Sequence, residues 1–250
     1  MTSVFARDLL GWRKPSGKNE YVPNCADSDS VASTLISEGM LLALGLEPGV
    51  DVDPPKHPGN ILENNVRDDI KKFLSQDTLR RDWEVGRGRL ITYFSQYSHL
   101  KRVDELVQAN PELRITIGQD YLIRPDVTVG MVGPNGAGGS PFLHAAISCK
   151  WTIRSDRVQN IRHEFNQMIR HRRGRQPHLV AVTAEPLPSR LAAIARGTGE
   201  VDAVYHVAFD ALRQSIDDCA NPMQKDAWSE CVEQGRLLSY EELPGTLARW

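Results

Sequence analysis

Ser148-Cys149-Lys150-Trp151-Thr152-Ile153-Arg154-Ser155-Asp156-Arg157 joins two regular patterns. Upstream, Phe142 to Ile153 is an apolar run of the kind that fills a strand covered on both faces. Downstream, Val158, Ile161, Phe165, Met168 and Ile169 recur at helical spacing, which predicts a helix over 155–171 with Ser155 or Asp156 capping its start. A second buried-type strand follows at His178 to Thr183, a short helix at Pro188 to Ala195 and another strand at Val201 to Ala208. This strand-helix-strand rhythm predicts an α/β fold whose second half is mostly parallel.

Working back from that core, Gly130 to Ser140 holds five glycines and a proline and reads as a turn or loop. Gln119 to Val129 reads as two short β-rich runs around Pro125, with Asp126 at the start of the second. Further upstream, Gln96 to Asn110 reads as a helix stopped by Asn110-Pro111, and Trp83 to Val85 and Leu90 to Phe94 as strand or strand-helix transitions. Helical spacing over Val31 to Leu46 follows a polar loop in which Asp29 or Ser30 can cap, and it resumes from Asn60 to Leu74, leaving Glu63 near a first turn. Phe209 to Trp250 reads as a helix plus an amphipathic tail.

Composition narrows the function classes. With 250 residues, 40% of them hydrophobic, the chain can bury one large core, so a single domain is expected. A net charge of -2 gives no field for coating nucleic acid, so any DNA contact rests on local clusters such as Arg170-His171-Arg172-Arg173-Gly174-Arg175. Cys25, Cys149, Cys219 and Cys231 lie far apart without a Cys-x-x-Cys pair, which disfavours a zinc site or a disulfide framework and suits free thiols in a reducing compartment. Arg7 and Asp8 interrupt any signal-type apolar segment, and no apolar run approaches the ~20 residues that span a bilayer. A soluble intracellular protein without a membrane partner is the expectation.

Three residues carry the chemical argument. Asp126 follows a proline, Lys150 lies 24 residues later beyond Ser148, and Glu164 lies 14 residues beyond that, a spacing that can gather two carboxylates and an ammonium at neighbouring strand ends. Magnesium takes oxygen ligands and usually keeps waters, so Asp126, the carbonyl of Cys149, Glu164 and a phosphate oxygen would suffice. Phosphodiester hydrolysis needs an activated water and relief of charge on the phosphorus, which such a set supplies, with Lys150 orienting the water. Glu63 can complete the acidic cluster. Against this stands the plain reading of Asp126 as a chance Pro-Asp pair and of Lys150 as a structural strand-end lysine, although lysine is rarely buried unpaired. Arg154 and Arg157 have the fork geometry that reads guanine in the major groove, and Asp156 can accept from cytosine; the plainer fate of an Arg-x-Asp-Arg string is a capped helix with surface ion pairs.

The string Leu143 to Ile147 followed by Ser148 to Arg157, then Val182-Thr183-Ala184-Glu185-Pro186-Leu187-Pro188-Ser189-Arg190 and Gly197-Thr198-Gly199-Glu200-Val201-Asp202, resembles the NgoMIV family of type II restriction endonucleases. The likeness is strongest from Leu143 to His206 and runs more weakly back to Gly59-Asn60 and Glu63. It implies a restriction-endonuclease-like core, a mixed central sheet flanked by helices of the PD-(D/E)xK type. It also implies Mg2+-dependent cutting of double-stranded DNA at a CCGG-centred palindrome, with two ions per active site. Glu63, Asp126, Ser148, Cys149, Lys150 and Glu164 fall on the family's active-site positions, Ser148 replacing the usual acidic residue and Glu164 supplying that carboxylate from the next helix. Arg154, Ser155, Asp156 and Arg157 fall on the stretch that reads the central pairs. Asp27, Asp29, Lys56 and Arg190 match positions that contact the outer pair or the minor groove. Lys56 stands where a glutamine is expected and Asp29 where a serine is, so GCCGGC as the full site is an expectation that these two positions test. A palindrome requires two readers, hence a homodimer at least, and the resemblance extends this to a homotetramer, a partner DNA methyltransferase and a bacterial cytoplasmic setting. The expected division is an N-terminal part over 1–118, a catalytic core over 119–208 and a helical tail over 209–250 of one endonuclease domain. Rival readings are a repair or recombination nuclease of the same fold and a DNA-binding relative without cleavage.

Overall fold

Six strands form one mixed sheet in the order β3-β4-β5-β6-β7-β8. The computed structural model describes residues 3–17, 20–50, 54–77, 79, 81–133, 139–153 and 155–249, and the side chains at 111, 117 and 155–157 are not among those described. In chain order the elements begin with α1 (Ala6–Leu9) and a two-stranded ribbon of β1 (Trp12–Arg13) and β2 (Val22–Pro23). Then come α2 (Val31–Ala43), α3 (Pro58–Leu74) and β3 (Trp83–Arg87), followed by single 3-10 turns at Ile91–Tyr93 and Ser95–Tyr97. α4 (Ser98–Ala109) and α5 (Pro111–Ile117) lead into β4 (Val127–Met131), β5 (Phe142–Lys150), α6 (Ser155–His171), β6 (His178–Thr183), α7 (Pro188–Ala195) and β7 (Ala203–His206). The chain ends with α8 (Phe209–Cys219), α9 (Pro222–Glu233), β8 (Leu237–Ser239) and α10 (Glu242–Arg249).

β3, β4 and β5 pair antiparallel, whereas β5 to β8 pair parallel, so the sheet changes character at β5. β5 is the central strand, and seven of its nine residues are buried, as its unbroken apolar run requires of a strand covered on both faces. α6 and α7 are the crossovers that parallel pairing demands, and they pack on each other. Ile161, Phe165 and Met168 are the buried stripe of α6, and burying three such side chains stabilises the layer by roughly 1.5–3 kcal/mol each. α3 lies on β3, β4 and β5, bringing Glu63 over the antiparallel half. Ser30 is the side chain that caps α2, accepting the Ser33 N–H at 3.2 Å.

Several short elements differ from expectation. Of the strand or strand-helix transition expected over Leu90 to Phe94, the structure forms a 3-10 turn at Ile91–Tyr93, and of the two β-rich runs around Pro125 only the second is a strand. Tyr121, Leu122 and Ile123 instead pack their apolar side chains from a loop whose Ile123 carbonyl accepts from Ile91 N–H at 3.0 Å. A further helix, α5, starts at the Asn110-Pro111 stop, with Asn110 accepting the Glu112 N–H and Pro111 in the first turn. The final segment holds more than a helix plus a tail: β8 joins the sheet edge beside β7, and α10 packs on α3. The sheet thus recruits β3 and β8 from outside 119–208. Among the described residues no helix is long and apolar enough to cross a membrane.

Candidate active site

β5 outruns β4. Val127, the first residue of β4, lies opposite Ile147, and β5 continues for three more residues with no β4 strand beside them. Asp126, one residue before β4, fills that gap with its side chain. Its Oδ2 accepts from the Cys149 N–H at 2.7 Å, from the Lys150 ammonium at 2.7 Å and from the Ser148 hydroxyl at 3.3 Å. The carboxylate satisfies a backbone donor that would otherwise lack a ladder partner, and the charge-assisted bond from Lys150 makes the corner stronger than a neutral one. The backbone carbonyl of Asp126 is held by the Gly88 N–H at 3.1 Å, so the residue is fixed from both ends.

Glu164 reaches the same corner from α6. Burial pushes its carboxyl up, the Lys150 ammonium pulls it down, and the negative charge of Asp126 pushes it up again. The three charges of the predicted set therefore sense one another across the strand-helix junction. Cys149 is buried, and desolvation, reinforced by Asp126 and Glu63, raises its thiol well above the ordinary range. It stays protonated, which leaves its backbone rather than its sulfur to serve the site. Glu63 stands on the second turn of α3, where Arg87 from the end of β3 donates to it at 2.6 Å and also reaches Asn60 and Asn64 at 3.2 and 3.3 Å. The charges of Glu63 and Arg87 both reach Cys149, so this pair borders the corner.

Among the described residues no three His, Cys, Asp or Glu side chains converge closely enough to hold an ion by themselves. Two carboxylates that interact through Lys150, beside a strand-end carbonyl, instead fit a hard cation that keeps waters and shares a substrate oxygen. The residues fit that group and not a closed protein cage.

The second half of the site lies along the same sheet edge. Lys150 pairs with Thr183 in register, so the segments after β5 and β6 emerge side by side. Arg154 lies outside the described residues, and Ser155, Asp156 and Arg157 open α6 without described side chains. Arg190 of α7 pairs with Asp27 from the loop before α2 and stands 3.6 Å from Glu185. A cleft of about 500 Å³ separates these elements, with Asp27, Asp29, Ile153, Val158 and Arg190 on its walls. Asp29 is exposed at its rim, and Lys56 is exposed just before α3. The structure thus gathers Asp126, Ser148, Cys149, Lys150 and Glu164 at one corner and Asp27, Asp29 and Arg190 at another, with Glu63 bordering the first.

Two residues escaped the reading of the sequence. Arg87 sits in the Gly86-Arg87-Gly88-Arg89 string, where nothing but the glycines marked a turn. Glu185 was quoted only as part of a motif, yet it is completely buried and accepts the Ile153 N–H at 2.7 Å. An acidic residue directly after an apolar strand run was its available signal.

With this geometry in view, comparison with known proteins is specific. The family model described as NgoMIV restriction enzyme matches residues 13–134 and 131–249. The chain is 36% identical over 275 aligned positions to Type II restriction enzyme NgoMIV of Neisseria gonorrhoeae, covering 98% of this chain and 96% of that one. Among solved structures it is similar to Type IIF restriction endonuclease Bse634I with cognate DNA, at 12% identity and a TM-score of 0.39, over 85% of this chain and 98% of that one. A second structure, Bse634I restriction endonuclease, matches at 12% identity and a TM-score of 0.38 over 85% and 97% of the two chains. Matched along nearly its whole length by sequence, the chain belongs to the NgoMIV family of type II restriction enzymes.

Proposed function

We propose that the protein hydrolyses both strands of double-stranded DNA at a CCGG-centred palindrome, GCCGGC, with Mg2+ and 5′-phosphate products. The observation that carries this is the corner at the end of β5, where Asp126 binds Lys150 at 2.7 Å and Glu164 senses both charges, one short turn before α6. Asp126, the Cys149 carbonyl and Glu164 would hold the ions, two per site, and Ser148 supports Asp126 through its hydroxyl. Bound Mg2+ would polarise the phosphate and sharpen the water as a nucleophile.

The chain's own groups do the rest. Lys150 orients the attacking water and offsets the charge that builds on the phosphate oxygens. The water adds hydroxide to phosphorus, the P–O3′ bond breaks, and the 3′-oxygen leaves with a proton as a 3′-hydroxyl. Glu63, held by Arg87, borders the site as the acidic residue that completes the cluster. Arg154, Ser155, Asp156 and Arg157 would read the central pairs, and Asp27, Asp29, Lys56 and Arg190 the outer ones. The Arg190–Asp27 pair on the cleft wall supports that grouping.

A palindromic target calls for a homodimer, and two dimers meeting as a tetramer extend the same logic. The chain would act as one endonuclease domain, with its core over 119–208 completed by strands from both flanks. A matching DNA methyltransferase protects host sites in this reading, and the setting is bacterial cytoplasm. Mapping the ends produced from a random-sequence duplex library in Mg2+ tests the proposal. Ends clustered in GCCGGC with 5′-phosphates support it; no site-dependent cutting, or cutting guided by branched structure, overturns it.

A further inference from the structure

We propose that Glu185 is a positioning residue that locks the turn into α6 and the Arg190–Asp27 pair into one frame, so that outer-pair and central-pair contacts present the scissile phosphate to the Asp126–Lys150 corner together. This inference rests on the endonuclease reading above.

Glu185 has no exposed surface, and its two carboxylate oxygens are divided between two elements. Oε2 accepts the Ile153 N–H at 2.7 Å, three residues beyond Lys150 in the turn that leads to α6. Oε1 accepts the Leu187 N–H at 3.2 Å, at the start of α7, where no side chain provides a cap from the helix itself. The same oxygen lies 3.6 Å from Arg190 Nη1, and Arg190 Nη2 donates to Asp27. Asp27 in turn holds the loop before α2, since its N–H donates to Ser33 Oγ at 3.0 Å and its carboxylate accepts the Asp29 N–H at 3.2 Å. On its other side Glu185 donates its own N–H to Thr183 Oγ1 at 3.1 Å, and Thr183 is the register partner of Lys150. Through its carboxylate and its own N–H, Glu185 therefore connects the end of β6 beside Lys150, the turn into α6, the first turn of α7 and, by way of Arg190, the loop bearing Asp27.

A fully buried carboxylate facing one guanidinium at 3.6 Å is a poor way to gain stability, because desolvation offsets most of the attraction. Its return is geometric: three donors from two elements fix where it lies. Glutamine has the same shape but a single acceptor oxygen, so one of the two amide contacts or the approach of Arg190 becomes donor facing donor. The frame loosens while the volume stays filled.

The test uses the full-length enzyme on three duplexes: the site that wild type cuts in the random library, the same site with its outer pairs changed, and the same site with its central pairs changed. Single-turnover cleavage in Mg2+, binding in Ca2+ and thermal melting are measured for wild type and Glu185→Gln. The variant is expected to cut the intact site on the order of 100-fold more slowly, as a small misplacement of a reacting group produces. Its preference for the intact over the outer-changed duplex falls about tenfold, binding changes by less than about threefold, and melting is not lowered. Glu185→Asp, which keeps the charge but reaches only one element, shows an intermediate loss and carries the same test if the glutamine variant does not fold. A wild-type rate and preference in the variants, or an equal loss on all three duplexes that tracks a lower melting temperature, overturns the proposal and leaves the endonuclease reading intact. If wild type cuts no duplex, both fall.

Discussion

Two carboxylates at one edge of the sheet each accept a backbone N–H from the segment around Lys150, and they differ in one respect. Asp126 keeps 20% of its side chain exposed beside a Lys150 that keeps 27%, whereas Glu185 keeps none. Both receive the N–H of a residue in the 148–153 stretch at 2.7 Å, so the local hydrogen bond is the same. Exposure decides what each can do next. Asp126 has an open side where a cation, a water or a phosphate oxygen can reach it, while Glu185 has spent every direction on protein donors. In the proposed function, the same hydrogen-bonding device serves chemistry where it faces solvent and shape where it does not.

The strongest way to break that contrast is Asp126→Asn. The amide keeps the volume but removes the negative charge beside Lys150 and the proposed cation, and single-turnover cleavage is expected to fall by at least about 1,000-fold. Retention of wild-type cutting would remove Asp126 from the chemistry.

Glu185 responds on stability as well as on rate. Burial raises its carboxyl from 4.5 to about 7, opposed by the Ile153 amide, then by Arg190 and the Leu187 amide, with Asp27 adding to the rise. The folded value lies above the unfolded one, so this group's contribution is fully present below pH 4.5 and is lost as pH rises through about 7. Cys25, whose buried thiol also feels Glu185, is pushed up to about 12 and stays neutral across that window. Glu185→Gln removes the titration. Relative to wild type it should therefore gain about 3 kcal/mol between pH 4 and pH 8, at about 1.4 kcal/mol for each pH unit of the displacement. Denaturant unfolding at both pH values checks this, and a constant difference between the two proteins would contradict it.

Arg87→Ala sharpens the contrast at its border. The pair with Glu63 is partly exposed, 33% and 18%, so stability should change by no more than about 1 kcal/mol. Cleavage should fall about tenfold, as removal of a residue that orients a site carboxylate does. An unfolding shift with no change in rate would make the pair purely structural. At the small end, Arg102→Ala removes an ion pair with Glu105 whose partners are 73% and 51% exposed, and neither cutting nor stability should move by more than about 0.5 kcal/mol in the same assays.

The legible part of the sequence was the part with a period. α6 spans Ser155–His171, β6 His178–Thr183 and α7 Pro188–Ala195, the residues that apolar spacing predicted, because each element buries one regular stripe against the sheet. β8 and the β1–β2 ribbon were not legible, since strands of two or three residues are too short to show alternation and owe their existence to a neighbour. The loop from Tyr121 to Ile123 misled for the opposite reason: its apolar residues are buried without pairing. At the site, spacing brought Asp126, Lys150 and Glu164 together because strand ends and the helix that follows fix their positions; the expected cap of that helix by Ser155 or Asp156 lies outside the described side chains. Glu185 was invisible as a positioning residue because its total burial is a property of four converging elements, and Arg87, on β3, because its partner lies 24 residues away on a helix.

In the proposed function, the chemistry sits at the open Asp126–Lys150 corner. The most direct test is the single-turnover cleavage rate of Lys150→Ala at saturating Mg2+, on the duplex that wild type cuts, with binding of the same duplex measured in Ca2+. Binding close to wild type with no product above the rate of a buffer control is the predicted result. Cleavage within about tenfold of wild type would contradict the account, because a residue that stabilises transition-state charge is worth 100-fold or more.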